Sequence, residues 1–74
     1  MRYDYSKLIG RIVEKFGTRA MFADKMPMSE HTLSQKLNNK SAWNQQEIVR
    51  AIELLDLTPN DIQAYFFAIE VQIA

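Results

Sequence analysis

Residues 18–41, TRAMFADKMPMSEHTLSQKLNNKS, decide how this 74-residue chain folds. Thr18 and Ser29 are good helix N-cap residues, because their side-chain oxygens can accept hydrogen bonds from the free N–H groups of a first turn. Pro27 stops the first of the two helices, since proline cannot continue the hydrogen-bond ladder. The stretch therefore predicts two short helices joined by a tight turn.

Helices over 18–26 and 29–37 have the spacing of a helix-turn-helix. In that motif the first helix lies across the DNA backbone and the second enters the major groove by its N-terminal end. Ala23 is small enough to let the second helix approach closely, and Met26 and Leu33 are expected to pack between the two. The spacing predicts a DNA-binding module.

Three further helices are predicted outside this segment. Asp4 can cap a first helix with an apolar stripe, which ends at Gly17 because the residue past a helix often needs positive φ. Asn44 with Glu47 three residues later has the pattern of a capping box. Thr58-Pro59 marks the start of a short fifth helix. The fold class predicted is mainly α, a compact five-helix domain.

After residue 66 apolar residues stand at every second position instead of at helical spacing, and this alternation is typical of a strand. A lone strand in a helical protein has no partner within its own chain, so we expect it to pair with the same strand of a second copy. The alternative is a tail folded over the helices. The prediction is a DNA-binding domain over 1–66, with the helix-turn-helix at about 18–37, and a tail over 67–74. The residues predicted to form the homodimer contact are Phe67, Ile69, Val71 and Ile73.

Composition excludes several function classes. With no cysteine and a single histidine, His31, the chain has neither a disulfide nor the ligands of a zinc site, so no metal and no cofactor are expected. It has no glycine-rich phosphate loop and no nucleophile–base pair, so it is not expected to be an enzyme. No apolar run approaches the about 18 residues of a membrane helix. We expect a cytoplasmic protein.

Charge is distributed unevenly along the chain. Residues 1–40 hold eight Lys or Arg and four Asp or Glu, whereas residues 41–74 hold one basic and five acidic residues. A neutral protein with its charge polarised in this way can still turn one face toward phosphates.

The exposed face of the second helix of the motif carries the candidate binding residues. Their side chains can form hydrogen bonds with base edges in the major groove, while residues around them contact the phosphate backbone. The predicted base contacts are Ser29, Glu30, His31 and Gln35. The predicted phosphate contacts are Arg19, Thr32, Lys36, Asn38, Asn39, Lys40 and Ser41.

The stretch 18–41 resembles the helix-turn-helix of the phage Cro and repressor family, the Cro/C1-type or lambda-repressor-like domains. The pieces DYSKL, KLNNKS, EIVRAIELLDL and YFFAIEVQ extend the resemblance to small Cro-like regulators of Gram-positive phages and prophages. The resemblance implies a dimeric transcriptional repressor that binds double-stranded operator DNA in a genetic switch of the phage. Two residues depart from the family pattern: Pro27 stands where the turn usually has glycine, and Lys36 stands where many members have an apolar residue.

A second function remains open. The neutral net charge, the Glu30 side chain on the reading helix and the acidic second half also fit a protein-interaction module. Such an antirepressor would use the same fold to bind a phage repressor protein rather than DNA. Weak salt dependence, or no DNA binding at all, would separate the two hypotheses.

Overall fold

Five α-helices and one 3-10 turn form the computed structural model, which describes residues 2–71. The helices are α1 Ser6–Phe16, α2 Arg19–Lys25, α3 Glu30–Leu37, α4 Gln45–Leu54 and α5 Ile62–Phe66, with the 3-10 turn Pro59–Asp61 before α5. The described residues form no strand. The radius of gyration is 11.8 Å, close to the value of about 11 Å for a compact chain of this length. The predicted mainly α architecture is confirmed.

The helix ends form where the sequence predicts them. The side chain of Thr18 accepts a hydrogen bond from the Met21 N–H, and that of Ser29 accepts one from the Thr32 N–H. Gly17 ends α1 with a φ of +81°, in the left-handed region that glycine adopts most readily. These caps set α2 and α3 as two short helices joined by a turn.

The second half begins its helices with acidic capping groups. The Asn44 side chain accepts from the Glu47 N–H at 2.8 Å, while the Glu47 carboxylate accepts from the Asn44 N–H at 3.0 Å, so the capping box is confirmed. The Asp61 carboxylate accepts from the backbone N–H of Thr58 at 2.8 Å. At the chain start, Asp4 accepts from the Ser6 N–H, although α1 itself begins after Tyr5.

One hydrophobic core joins all five helices. Helix α2 packs against α1 and α3, and α5 packs against α1 and α4. Ala23 is fully buried between α2 and its neighbours, as a close helix approach requires, and Met26 and Leu33 are buried with it. Trp43 packs against this core, with its ring edge-to-face to Phe66 at 5.2 Å between centroids. The core therefore packs α2 and α3 together with the helices of the second half.

The tail has a partner within its own chain, which corrects the premise of the predicted intersubunit strand. Tyr3 and Ile69 form an isolated antiparallel bridge, and the Asp4 N–H donates to the Ala68 carbonyl at 2.7 Å. The N-terminal segment thus takes the hydrogen bonds that a second copy was expected to supply. The predicted dimer residue Ile73 lies outside the described residues, and dimerisation through the tail stays a prediction.

Within residues 2–71, none of the helices has both the length and the apolar character needed to cross a membrane.

Candidate functional site

The outer face of α3 presents the predicted base-contacting residues. Glu30 and His31 are exposed, and Gln35 is half-buried with its Nε2 3.3 Å from the His31 Nε2. Ser29 is less available, because its hydroxyl caps α3 and contacts the Thr32 hydroxyl at 2.9 Å. The exposed surface of α3 is therefore polar, and Glu30 is its one acidic side chain.

Lys36 does not lie where the sequence predicts it. It is 7% exposed, and its Nζ donates to the Ala42 carbonyl and to a Glu47 carboxylate oxygen, each at 2.8 Å. The ammonium also lies 5.8 Å from the centroid of the Trp43 ring. Lys36 thus joins α3 to α4, and its ammonium lies inside the fold rather than on the exposed face that the predicted phosphate contact requires.

The Lys36–Glu47 pair also sets the acidity of Glu47. Burial raises the pKa of this carboxyl, but the hydrogen bonds from Lys36 and from the Asn44 N–H, together with the Lys36 charge, outweigh burial and lower the pKa below its ordinary value. The carboxylate is therefore ionised across the neutral range.

Asn39 is also engaged inside the protein. It adopts a positive φ of 63°, and its side chain accepts from the Tyr3 N–H at 2.8 Å and donates to the Tyr3 carbonyl at 3.0 Å. Both ends of the amide are used to hold the N-terminal segment beside α3. The amide that the sequence analysis predicted to contact phosphate is therefore engaged within the protein.

The remaining predicted phosphate contacts stay near the surface. The Asn38 amide donates to the Ser34 hydroxyl at 3.2 Å, and Thr32 is half-buried at the first turn of α3. Arg19 and Lys40 are exposed, and neither forms an ion pair within residues 2–71. Ser41 is exposed at the exit from α3.

Ion pairs across the fold account for much of the charge asymmetry in the sequence. Three pairs each join a basic residue of the first half to an acidic residue of the second. They are Arg2–Glu70 at 3.3 Å, Lys15–Asp56 at 2.7 Å and Lys36–Glu47 at 2.8 Å. The hydrogen bond from Lys15, followed by its charge, lowers the pKa of Asp56. Three of the eight basic residues of the first half are therefore engaged with the second half.

A shallow apolar groove of about 360 Å³ lies between α4 and the tail. We call it the α4–tail groove; it is lined by Gln45, Ile48, Val49, Ile62 and Phe67. Val49 is 56% exposed and Phe67 39% exposed, although both are large apolar residues. No basic side chain lines it. No cluster of three or more His, Asp or Glu side chains that could hold a metal ion occurs among the described residues.

The fold is similar to that of a solved structure from a phage. The solution structure of the modulator of repression (MOR) of the temperate bacteriophage TP901-1 from Lactococcus lactis superposes with a TM-score of 0.81. The two sequences are 50% identical, and the match covers 97% of each chain. No curated protein matches the sequence.

The comparisons correct two predictions and fit a third. The similar structure is that of a modulator of repression, and the matching family model is not the Cro/C1 repressor family. Membership of the Cro/C1-type family is therefore wrong, and so is the predicted function as a Cro-like, DNA-binding repressor. The phage context fits the similar structure. The family model that matches residues 1–69 is described as a protein of unknown function, DUF739, and the chain belongs to that family.

Proposed function

We propose that this chain binds a phage repressor protein and modulates repression through that protein–protein contact. The observation that carries the proposal is the 50% identity over 97% of both chains to the modulator of repression of phage TP901-1. This is the antirepressor hypothesis that the neutral net charge and Glu30 left open.

The side-chain geometry supports a protein-binding role. Lys36 and Asn39 are held within the fold, which removes two of the groups that a DNA-binding face would need. Three of the basic residues of the first half are neutralised by acidic residues of the second. Affinity for DNA depends on free Lys and Arg side chains that displace counterions from phosphates. The surface that remains exposed is better suited to binding another protein than to binding DNA.

Further parts of the proposal follow from the same scaffold. We propose that the helices keep a lambda-repressor-like order and that the domain over 1–66 acts by binding alone, without catalysis. Self-association through the tail stays a prediction, which sedimentation of the purified chain would check.

The test is a titration with the purified repressor of phage TP901-1, using the modulator of repression from that phage as positive control. Light scattering coupled to gel filtration should show a complex containing both proteins. In parallel, the chain alone should not shift a labelled operator duplex at low salt. Absence of a complex, at concentrations where the control forms one, would contradict the proposal.

A further inference from the structure

We infer that the α4–tail groove is the surface that receives the repressor, and that it takes a segment carrying an apolar side chain next to lysine or arginine. The inference rests on the proposed function and adds the location and chemistry of the contact. It is carried by the apolar exposure of the groove and by the acidic residues beside it.

Exposed apolar side chains concentrate on this side of the molecule. Of the six large apolar residues exposed within the described range, four lie between residues 49 and 71. They are Val49, Phe67, Ile69 and Val71. Phe67 ends α5 and lines the groove, and Ile69 and Val71 follow it in the segment that bridges to Tyr3. A group of exposed apolar residues often marks a surface that contacts another molecule, whereas single exposed apolar residues are common on any protein.

Two acidic residues are neighbours of residues that line the groove, although neither lines it. Glu53 lies one helical turn beyond Val49 on the exposed side of α4 and forms no ion pair within residues 2–71. Asp61 precedes Ile62; its carboxylate accepts from the Thr58 N–H and forms no ion pair within residues 2–71. The nearest arginine, Arg50, donates instead to the Lys25 carbonyl at 3.3 Å.

This charge pattern selects a basic partner over a second copy of the chain. A two-fold contact between two grooves would bring Glu53 and Asp61 close to the same residues of the other copy, and like charges oppose such a contact. A DNA-binding repressor carries excess Lys and Arg, so a segment of it can pair with these acidic residues while its apolar side chain fills the groove.

The experiment compares two valines that are exposed to similar extents on opposite halves of the molecule. Val49 on α4 is 56% exposed, and Val13 on α1 is 49% exposed. Binding of the TP901-1 repressor is measured by calorimetry for the wild type, Val49→Asp and Val13→Asp, after circular dichroism has shown that both variants are folded. Val49→Asp should weaken binding by about tenfold or more, because it places a charge in a dry contact. Val13→Asp should stay within about twofold of the wild type.

A second pair of variants tests the charge complementarity. Glu53→Gln should reduce the salt dependence of binding, whereas Asp24→Asn, on the exposed surface of α2, should not. The inference is overturned if the wild type binds while Val49→Asp binds equally well, and the proposed function then survives. It is also overturned if Val49→Asp instead dissociates a homodimer of the chain in sedimentation. If the wild type itself does not bind, the proposed function falls with it.

Discussion

Removing the negative charge of Glu47 should destabilise the fold more than removing the positive charge of Lys36. The Lys36 side chain is 9% exposed and that of Glu47 is 22% exposed. Glu47→Gln keeps the shape and leaves the ammonium of Lys36 buried without a counter-charge. Breaking a buried pair in this way costs about 3–5 kcal/mol. Because Glu47 keeps some contact with water, we expect a loss of stability at or just below the bottom of that range, about 2–3 kcal/mol.

Lys36→Met should lower the stability of the fold much less than Glu47→Gln, by below about 1 kcal/mol, because it replaces a buried charge by an apolar side chain of similar length. The carboxylate of Glu47 then keeps the Asn44 N–H and reaches water. In a domain of this size, 1 kcal/mol shifts the melting temperature by about 4–8 °C. Glu47→Gln should therefore lower the melting temperature by roughly 8–24 °C, and Lys36→Met by only a few degrees.

The assay is thermal and urea unfolding followed by circular dichroism, with the fluorescence of Trp43, the single tryptophan, as a second probe. Asp56→Asn is the matched control, because it breaks the exposed Lys15–Asp56 pair and should have a far smaller effect. A cost for Glu47→Gln below about 0.5 kcal/mol, or a larger cost for Lys36→Met, would refute the claim that Lys36 is buried and paired.

Three other predictions concern the backbone and the carboxylates. Asn39→Ala should lower the free energy of unfolding by about 2–3 kcal/mol, because it removes two hydrogen bonds to Tyr3 and puts alanine at positive φ. The loss for Asn39→Gly should be about 1 kcal/mol smaller. In both variants the hydrogen exchange rate of the Tyr3 amide should rise. Gly17→Ala should destabilise the fold by about 1–2 kcal/mol, because residue 17 has a φ of +81°. Gly10→Ala should stabilise it by about 0.5–1 kcal/mol, because Gly10 lies within α1 with open space around the added methyl group. Equal urea midpoints for the two variants would contradict this prediction. The pKa of Glu47 is lowered in the folded state, so its contribution to the stability of the fold is complete above its unfolded pKa of about 4.3 and is lost as the pH falls through the folded pKa. The urea midpoint of the wild type should therefore fall in acid, and that of Glu47→Gln should fall less.

Local sequence signals were sufficient for the helices. Thr18, Ser29 and Asn44 each accept the hydrogen bond that their residue type predicts at a helix start. A cap depends on residues three apart in the chain, so it can be read without knowing the fold. The same holds for Gly17, whose positive φ belongs to the end of its own helix.

The site depends on contacts between residues distant in sequence, which local patterns do not encode. Lys36 becomes a buried anchor only because the fold brings Glu47 and the Ala42 carbonyl to it. One signal did point there, since a lysine at a position that is apolar in the resembled family needs a buried partner. The intrachain bridge of Tyr3 to Ile69 gave no such signal, because it joins the two ends of the chain.

The helix-turn-helix pattern predicted the local fold but not its use. Two short capped helices with a small residue at Ala23 specify how α2 and α3 pack. They do not specify whether the outer surface meets a nucleic acid or a protein, since that depends on which charges remain free after folding.

The most direct test of the central claim is fluorescence anisotropy of a labelled TP901-1 operator duplex titrated with its repressor, with and without this chain. We predict no change with the chain alone and a shifted repressor titration curve when the chain is present. A rise in anisotropy with the chain alone, or a repressor curve that does not move, would contradict the account.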